Sequence, residues 1–140
     1  MFNKKRKAQI GTEYLILVSF IVFLVITFAG ISLLYSVKIR DTIKFSQLEK
    51  FSDKIISSAE SVFFSGEPSK VTITVYLPEG VQSIVISGKD MIYDIETNSG
   101  VSKIAYSGNV IMEGTISSNQ GIKRLEIASS SDKVIISETS

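Results

Sequence analysis

The sequence predicts an α+β chain: a long N-terminal helix, hydrophobic and then amphipathic, followed by an antiparallel β-sandwich or sheet. Three observations predict it. Residues 14–37 form an apolar run whose only titratable side chains are the phenols of Tyr14 and Tyr35. Apolar residues then recur at helical spacing as far as Val62. From residue 69 the pattern switches to period two, broken by turn residues about every ten positions.

The apolar run comes first. As a helix, its 24 residues reach about 36 Å, enough to cross a hydrocarbon core of about 30 Å. It is rich in Ile, Val, Leu and Phe. Ser19, Thr27, Gly30 and Ser32 are scattered along it without forming one small-xxx-small stripe, so no dimer face is specified. Phe20, Phe23 and Phe28 suit either the packed core of a helical filament or plain contact with lipid.

Charge orients the run. The formal net charge of +1 hides an asymmetry: Lys4, Lys5, Arg6 and Lys7 supply +4 before the run, leaving −3 for the rest. A basic head places the N-terminus of such a span in the cytoplasm and the residues after it outside. Lys38 and Arg40 weaken the contrast, and Asp41 offsets part of them. The chain contains no Cys and no His, which removes thiol nucleophiles, disulfides, His acid–base chemistry and nearly every zinc site. At 140 residues, there is room for one further domain beside the span.

Three readings compete for the N-terminus. A plain signal anchor is never cut. A secretory signal peptide has a shorter apolar core, of about 7–15 residues. Cutting after Thr27-Phe28-Ala29 would also leave Ile31, Leu33, Leu34 and Tyr35 on the mature end. In the third reading the cut falls before the apolar segment, and the helix stays with the product. The stretch Lys7-Ala8-Gln9-Ile10-Gly11-Thr12-Glu13-Tyr14-Leu15 favours the third, because it resembles the archaeal class III signal peptide of type IV pilin-like proteins. In that family a basic leader ends at a small residue, Gln follows, and Glu stands at the fifth mature position. The resemblance implies cleavage between Ala8 and Gln9, which makes Glu13 the fifth residue. It also implies processing by a membrane-embedded aspartyl prepilin peptidase. Gly11 departs from the Ser or Ala common at its position. The match covers about a dozen residues.

Physical chemistry gives Glu13 work to do. A carboxylate at the edge of a hydrocarbon core is costly if it goes deeper unpaired. A helix N-terminus favours it by roughly 0.3–1 kcal/mol. Cleavage before Gln9 would create an α-amine four residues away, which the Glu13 of a neighbouring subunit could pair with. Glu13 is thus expected to set register during assembly. The plainer reading makes it an ordinary first-turn acid at the headgroups.

Helical spacing continues beyond the span. Leu48, Phe51, Ile55, Ala59 and Val62 fall on one face. Lys44, Glu49, Lys50, Asp53, Lys54 and Glu60 take other positions. Ser65-Gly66-Glu67-Pro68 breaks the helix. Helix over 9–64 would span roughly 80 Å. Seven strands are then expected: 71–77, 83–87, 91–96, 101–107, 109–117, 122–128 and 133–138. Turns fall at Pro78-Glu79-Gly80, Gly88-Lys89-Asp90, Asn98-Ser99-Gly100, Gly108, Asn119-Gln120-Gly121 and 129–132. The pattern Tyr76-Leu77-Pro78-Glu79-Gly80-Val81, with Ile84-Val85-Ile86 and Gly88-Lys89 after it, looks like the ectodomains of archaeal pilin-like proteins.

No catalytic constellation is legible in the β region. Asp94 and Glu96 share a strand face near Asp90 and read as a solvated face rather than a cation site. Lys123-Arg124 is too small a basic spot for nucleic acid. No His is present to activate a Ser. Asn3, Asn98, Asn109 and Asn119 lack the x-Ser/Thr that N-glycosylation needs, a departure from many archaeal surface filaments.

The expected organisation is a basic leader (1–8), a transmembrane and assembly helix (9–64) and an extracellular β domain (69–140). The resemblance implies a non-enzymatic structural subunit, major or minor, of a cell-surface filament used in adhesion. It would carry no cofactor or metal. Its partners would be copies of itself, the prepilin peptidase, the assembly machinery and the membrane, with no nucleic acid. The precursor would be membrane-inserted and the mature form filamentous. The alternative is an uncleaved single-pass anchor whose external β domain binds a ligand or partner without polymerising.

Overall fold

Leu48, Phe51, Ile55, Ala59 and Val62 are spaced three or four apart, so one side of a helix carries them all. In the structure, a computed structural model, these five side chains are buried, from 0% to 4% exposed. The structure describes residues 9–139 in full, and the helix that holds these five, α1 (Phe2–Ser65), is assigned from Phe2. The chain divides into two compact units, Met1–Arg40 and Asp41–Ser140. α1 contributes residues to both.

In the second unit α1 ends at a glycine. Gly66 has φ +76°, a conformation that any Cβ would strain, and its N–H bonds to the Phe63 carbonyl at 3.1 Å. Seven strands follow: β1 (Lys70–Leu77), β2 (Val81–Ser87), β3 (Asp90–Thr97), β4 (Gly100–Ser107), β5 (Met112–Thr115), β6 (Gly121–Ser130) and β7 (Lys133–Thr139). They form a four-stranded sheet, β1-β6-β7-β5, and a three-stranded sheet, β2-β3-β4. Two-residue turns at Gly88-Lys89, Asn98-Ser99 and Ser131-Asp132 close the β2–β3, β3–β4 and β6–β7 hairpins. All pairs are antiparallel except β5–β7, which is parallel. The α+β class holds, with that one parallel pair making the larger sheet mixed.

Period-two alternation sends Ile73, Val75 and Leu77 of β1, Met91, Tyr93 and Ile95 of β3, and Leu125 and Ile127 of β6 inward. They join the buried face of α1 in one apolar core. Each large side chain so buried contributes about 1.5–3 kcal/mol. Polar contacts tie α1 to the turns around it. Asp41 Oδ2 accepts the Asn98 N–H at 3.2 Å, and Glu60 Oε1 accepts the Asn109 backbone N–H at 2.9 Å and its side-chain amide at 2.8 Å.

β5 is shorter than the expected 109–117. Asn109 is held by Glu60, and the first ladder partner is Met112. At Gly114, φ is +152°, and a Cβ would lie 2.0 Å from the Ile136 carbonyl oxygen. Only glycine lets β5 approach β7 this closely.

Candidate functional site

Gln9 and Glu13 are one helical turn apart on α1, so both occupy the same side of it, and both are exposed. Lys4, Lys5, Arg6, Lys7 and Ala8 lie outside the residues whose side chains are described. After Glu13 every residue through Arg40 is exposed. Phe20, Phe23 and Leu34 are 61%, 65% and 72% exposed. By length and composition, this helix can cross a membrane. Its hydroxyls suit that medium. Ser19 Oγ donates to the Leu15 carbonyl and Thr27 Oγ1 to the Phe23 carbonyl, both at 2.8 Å. Each donor is satisfied within its own turn and needs no water.

The second unit contains two polar arrangements that sequence reading missed. The first is Ser52, fully buried on the core face of α1. Its Oγ lies 2.9 Å from the Leu48 carbonyl and 2.8 Å from the Tyr93 hydroxyl. Burial pushes the Tyr93 phenol well above its ordinary value, against a smaller opposing effect of the Ser52 bond. Tyr93 also packs edge-on to Phe51, with ring centres 6.3 Å apart, and to Tyr106 at 5.9 Å. Burial, and then the charges of Glu49 and Asp53, raise the Tyr106 phenol. This group joins helix to sheet through one hydrogen bond and the Phe51–Tyr93 ring contact, and the Tyr93–Tyr106 contact links β3 to β4.

The second is Lys123, 6% exposed. Read in sequence with Arg124, it looked like a surface basic spot. The strand pleat separates the two: Lys123 turns inward with Leu125 and Ile127, and Arg124 turns out. Lys123 Nζ contacts Ser117 Oγ and lies 3.0 Å from Glu138 Oε1. Glu138 also accepts the Ser117 N–H at 2.9 Å. These bonds, led by that of the Ser117 backbone, hold the Glu138 carboxyl below the usual range. The phase of Lys123 with Leu125 and Ile127 was the sequence signal for its burial. Glu138 is the ion-pair partner of Lys123 at this contact.

Asp90, Asp94 and Glu96 follow one face of β3 but do not converge on a shared point. Asp90 accepts from Ser107 at 2.6 Å, and Asp94 accepts from Ser83 at 2.7 Å and pairs with Lys103 at 3.7 Å. Among the described residues, no group of three Asp or Glu side chains is placed to hold a metal. Two clefts flank α1 in this unit. One, of about 230 Å³, lies between Gln47, Lys50, Phe51 and Lys54 of α1 and Thr74, Val75 and Tyr76 of β1. The other, of about 260 Å³, is lined mostly by serines, among them Ser57, Ser61 and Ser65.

No protein-family model matches the chain, and no characterised protein or solved structure is significantly similar to it.

Proposed function

We propose that this chain is a structural subunit of an archaeal type IV-like surface filament, cut between Ala8 and Gln9 by a prepilin peptidase and assembled through its N-terminal helix. The observation that carries the reading is the division of labour along α1. Its N-terminal part presents apolar side chains on every side, with one acid a single turn from Gln9. Its later part closes the core of a β domain. A helix that is apolar all round needs lipid or other helices to cover it. The run Lys4-Lys5-Arg6-Lys7-Ala8-Gln9 ahead of Glu13 matches the resemblance drawn from the sequence.

In this reading the precursor waits in the membrane with its leader in the cytoplasm and its β domain outside. Removing the leader frees the α-amine of Gln9. The Glu13 carboxylate of one subunit then pairs with the Gln9 amine of its neighbour. In hydrocarbon, an unpaired charge at either group costs several kcal/mol, which selects the axial offset that satisfies both. N-terminal sequencing of the protein from native membranes tests the first step and should begin at Gln9. An intact Met1 would favour an uncleaved anchor that displays the β domain without polymerising. Assembly of a Glu13→Val protein at wild-type yield would remove the register role.

A further inference from the structure

In the second unit the exposed arc of α1 has its charges sorted by side. At about 100° per residue, Ser46 and Ser57 run along the middle of the arc, opposite the buried face. Glu49 and Asp53 fall to one side and Lys50 and Lys54 to the other. All four charged side chains are exposed. None has an ion-pair partner among the described residues. Each side therefore holds two like charges one turn apart, an arrangement that repels itself when left alone. The surrounding strands keep the sorting. Lys50 and Lys54 line the cleft at the edge strand β1. Glu49 and Asp53 lie near enough to Tyr106 of β4 to act on its phenol. Glu60, further along the acidic side, bonds Asn109 just beyond β4.

We propose that these two sides dock on each other between copies of this chain, with Glu49 and Asp53 of one subunit set against Lys50 and Lys54 of the next. The contact is heterologous, so each copy keeps one side free and association propagates instead of closing. A two-fold contact through either side alone would place like charges together, and this disfavours a closed dimer. The cleft beside β1 gives the incoming carboxylates a recess next to both lysines. The inference rests on the filament reading and adds to it the surface by which neighbouring stalks recognise each other outside the membrane. Because the four groups are exposed, the attraction is screened by salt.

The chain has no Cys, so a full-length Glu49→Cys/Lys54→Cys protein offers only the engineered thiols. In cells that process and assemble it, a short bismaleimide should give a ladder of cross-linked oligomers, and each single-Cys protein should give none. Lys50→Glu/Lys54→Glu should lower the filament recovered at low salt about tenfold, as expected for two exposed pairs. Adding Glu49→Lys/Asp53→Lys should restore it, since the quadruple variant only exchanges the two sides. Filaments that form without the ladder, or that ignore the double reversal, overturn this docking and leave the subunit reading intact. A ladder that stops at dimers means a two-fold contact and also overturns it. A processed wild-type chain that never polymerises removes the subunit reading and the docking together.

Discussion

Phe23 and Phe51 stand on one helix and meet opposite fates. Phe23 is 65% exposed and Phe51 is 2% exposed. Their neighbours explain why. Around Phe23 the helix is apolar in every direction, so no single sheet face could cover it. Around Phe51, Lys50, Asp53 and Lys54 claim the outer arc, which leaves a stripe one β domain wide. Apolar content is higher in the first unit, yet burial is found in the second. What decides burial within the chain is the placing of the polar residues.

The sharpest way to break this comparison is to make the same deletion in both units. Phe51→Ala removes a core ring that packs on Tyr93 and should cost the β domain about 3–5 kcal/mol. Phe23→Ala should leave the unfolding of the β domain within about 0.5 kcal/mol of the parent. Urea unfolding of the full chain in detergent, followed by the near-ultraviolet signal of its tyrosines, checks both. An equal loss in the two variants would mean that the units do not unfold separately.

Backbone approach gives the next effect, and it belongs to the second unit alone. A methyl at Gly114 would meet the Ile136 carbonyl at 2.0 Å, with backbone rather than a flexible side chain in the way. Gly114→Ala should cost about 2–4 kcal/mol by prising β5 from β7. Gly30 in the first unit has nothing within 4 Å of such a methyl, and Gly30→Ala should stabilise its helix slightly. The same denaturation experiment on both variants separates a close contact from mere helix propensity.

Much of this was legible in the sequence. The five residues chosen for the buried face of α1 are buried there, and each expected strand has a counterpart within a few residues. Both follow from local periodicity, which needs no knowledge of partners. What escaped notice depends on partners distant in sequence. The parallel β5–β7 pair is set by where β5 returns, and nothing in Met112-Glu113-Gly114-Thr115 announces it. Ser52 reads as a solvated serine until Tyr93, 41 positions away, supplies its bond. Lys123 was hidden by its neighbour Arg124, although its phase on β6 pointed inward. The candidate cleavage and register positions were found from residue order alone. Gln9 and Glu13 are exposed on α1, so the fold adds their exposure and shared side.

Hydroxyls carry the comparison to a smaller scale. Ser52→Ala leaves the Tyr93 hydroxyl, among the described residues, with only Met91 Sδ, 3.7 Å away, as a polar neighbour in the core, and should cost about 1–2 kcal/mol. Ser19 bonds the Leu15 carbonyl of its own turn. Ser19→Ala therefore leaves no orphaned partner and should change the stability of the β domain by less than about 0.5 kcal/mol. Thermal melts of the two variants should differ in midpoint by several degrees, and coincident curves would show that the Ser52–Tyr93 link stabilises nothing.

Acid provides the mildest test, one that only the second unit can register. Glu138 has its folded-state carboxyl held below the ordinary value, chiefly by the Ser117 backbone N–H and also by Lys123. A carboxyl lowered on folding adds stability that is present above its unfolded value of about 4.3 and is lost as pH falls through the folded value. Its side chain is 29% exposed, which keeps the contribution below about 1 kcal/mol. Glu138→Gln should weaken the parent near pH 7 and bring the two proteins' stabilities together as the solution is acidified below pH 4. Lys123, 6% exposed, would then lack its carboxylate in both proteins. If the gap between the two melting curves stays constant from pH 7 to pH 3, the Glu138–Lys123 bond is a contact of shape rather than of charge.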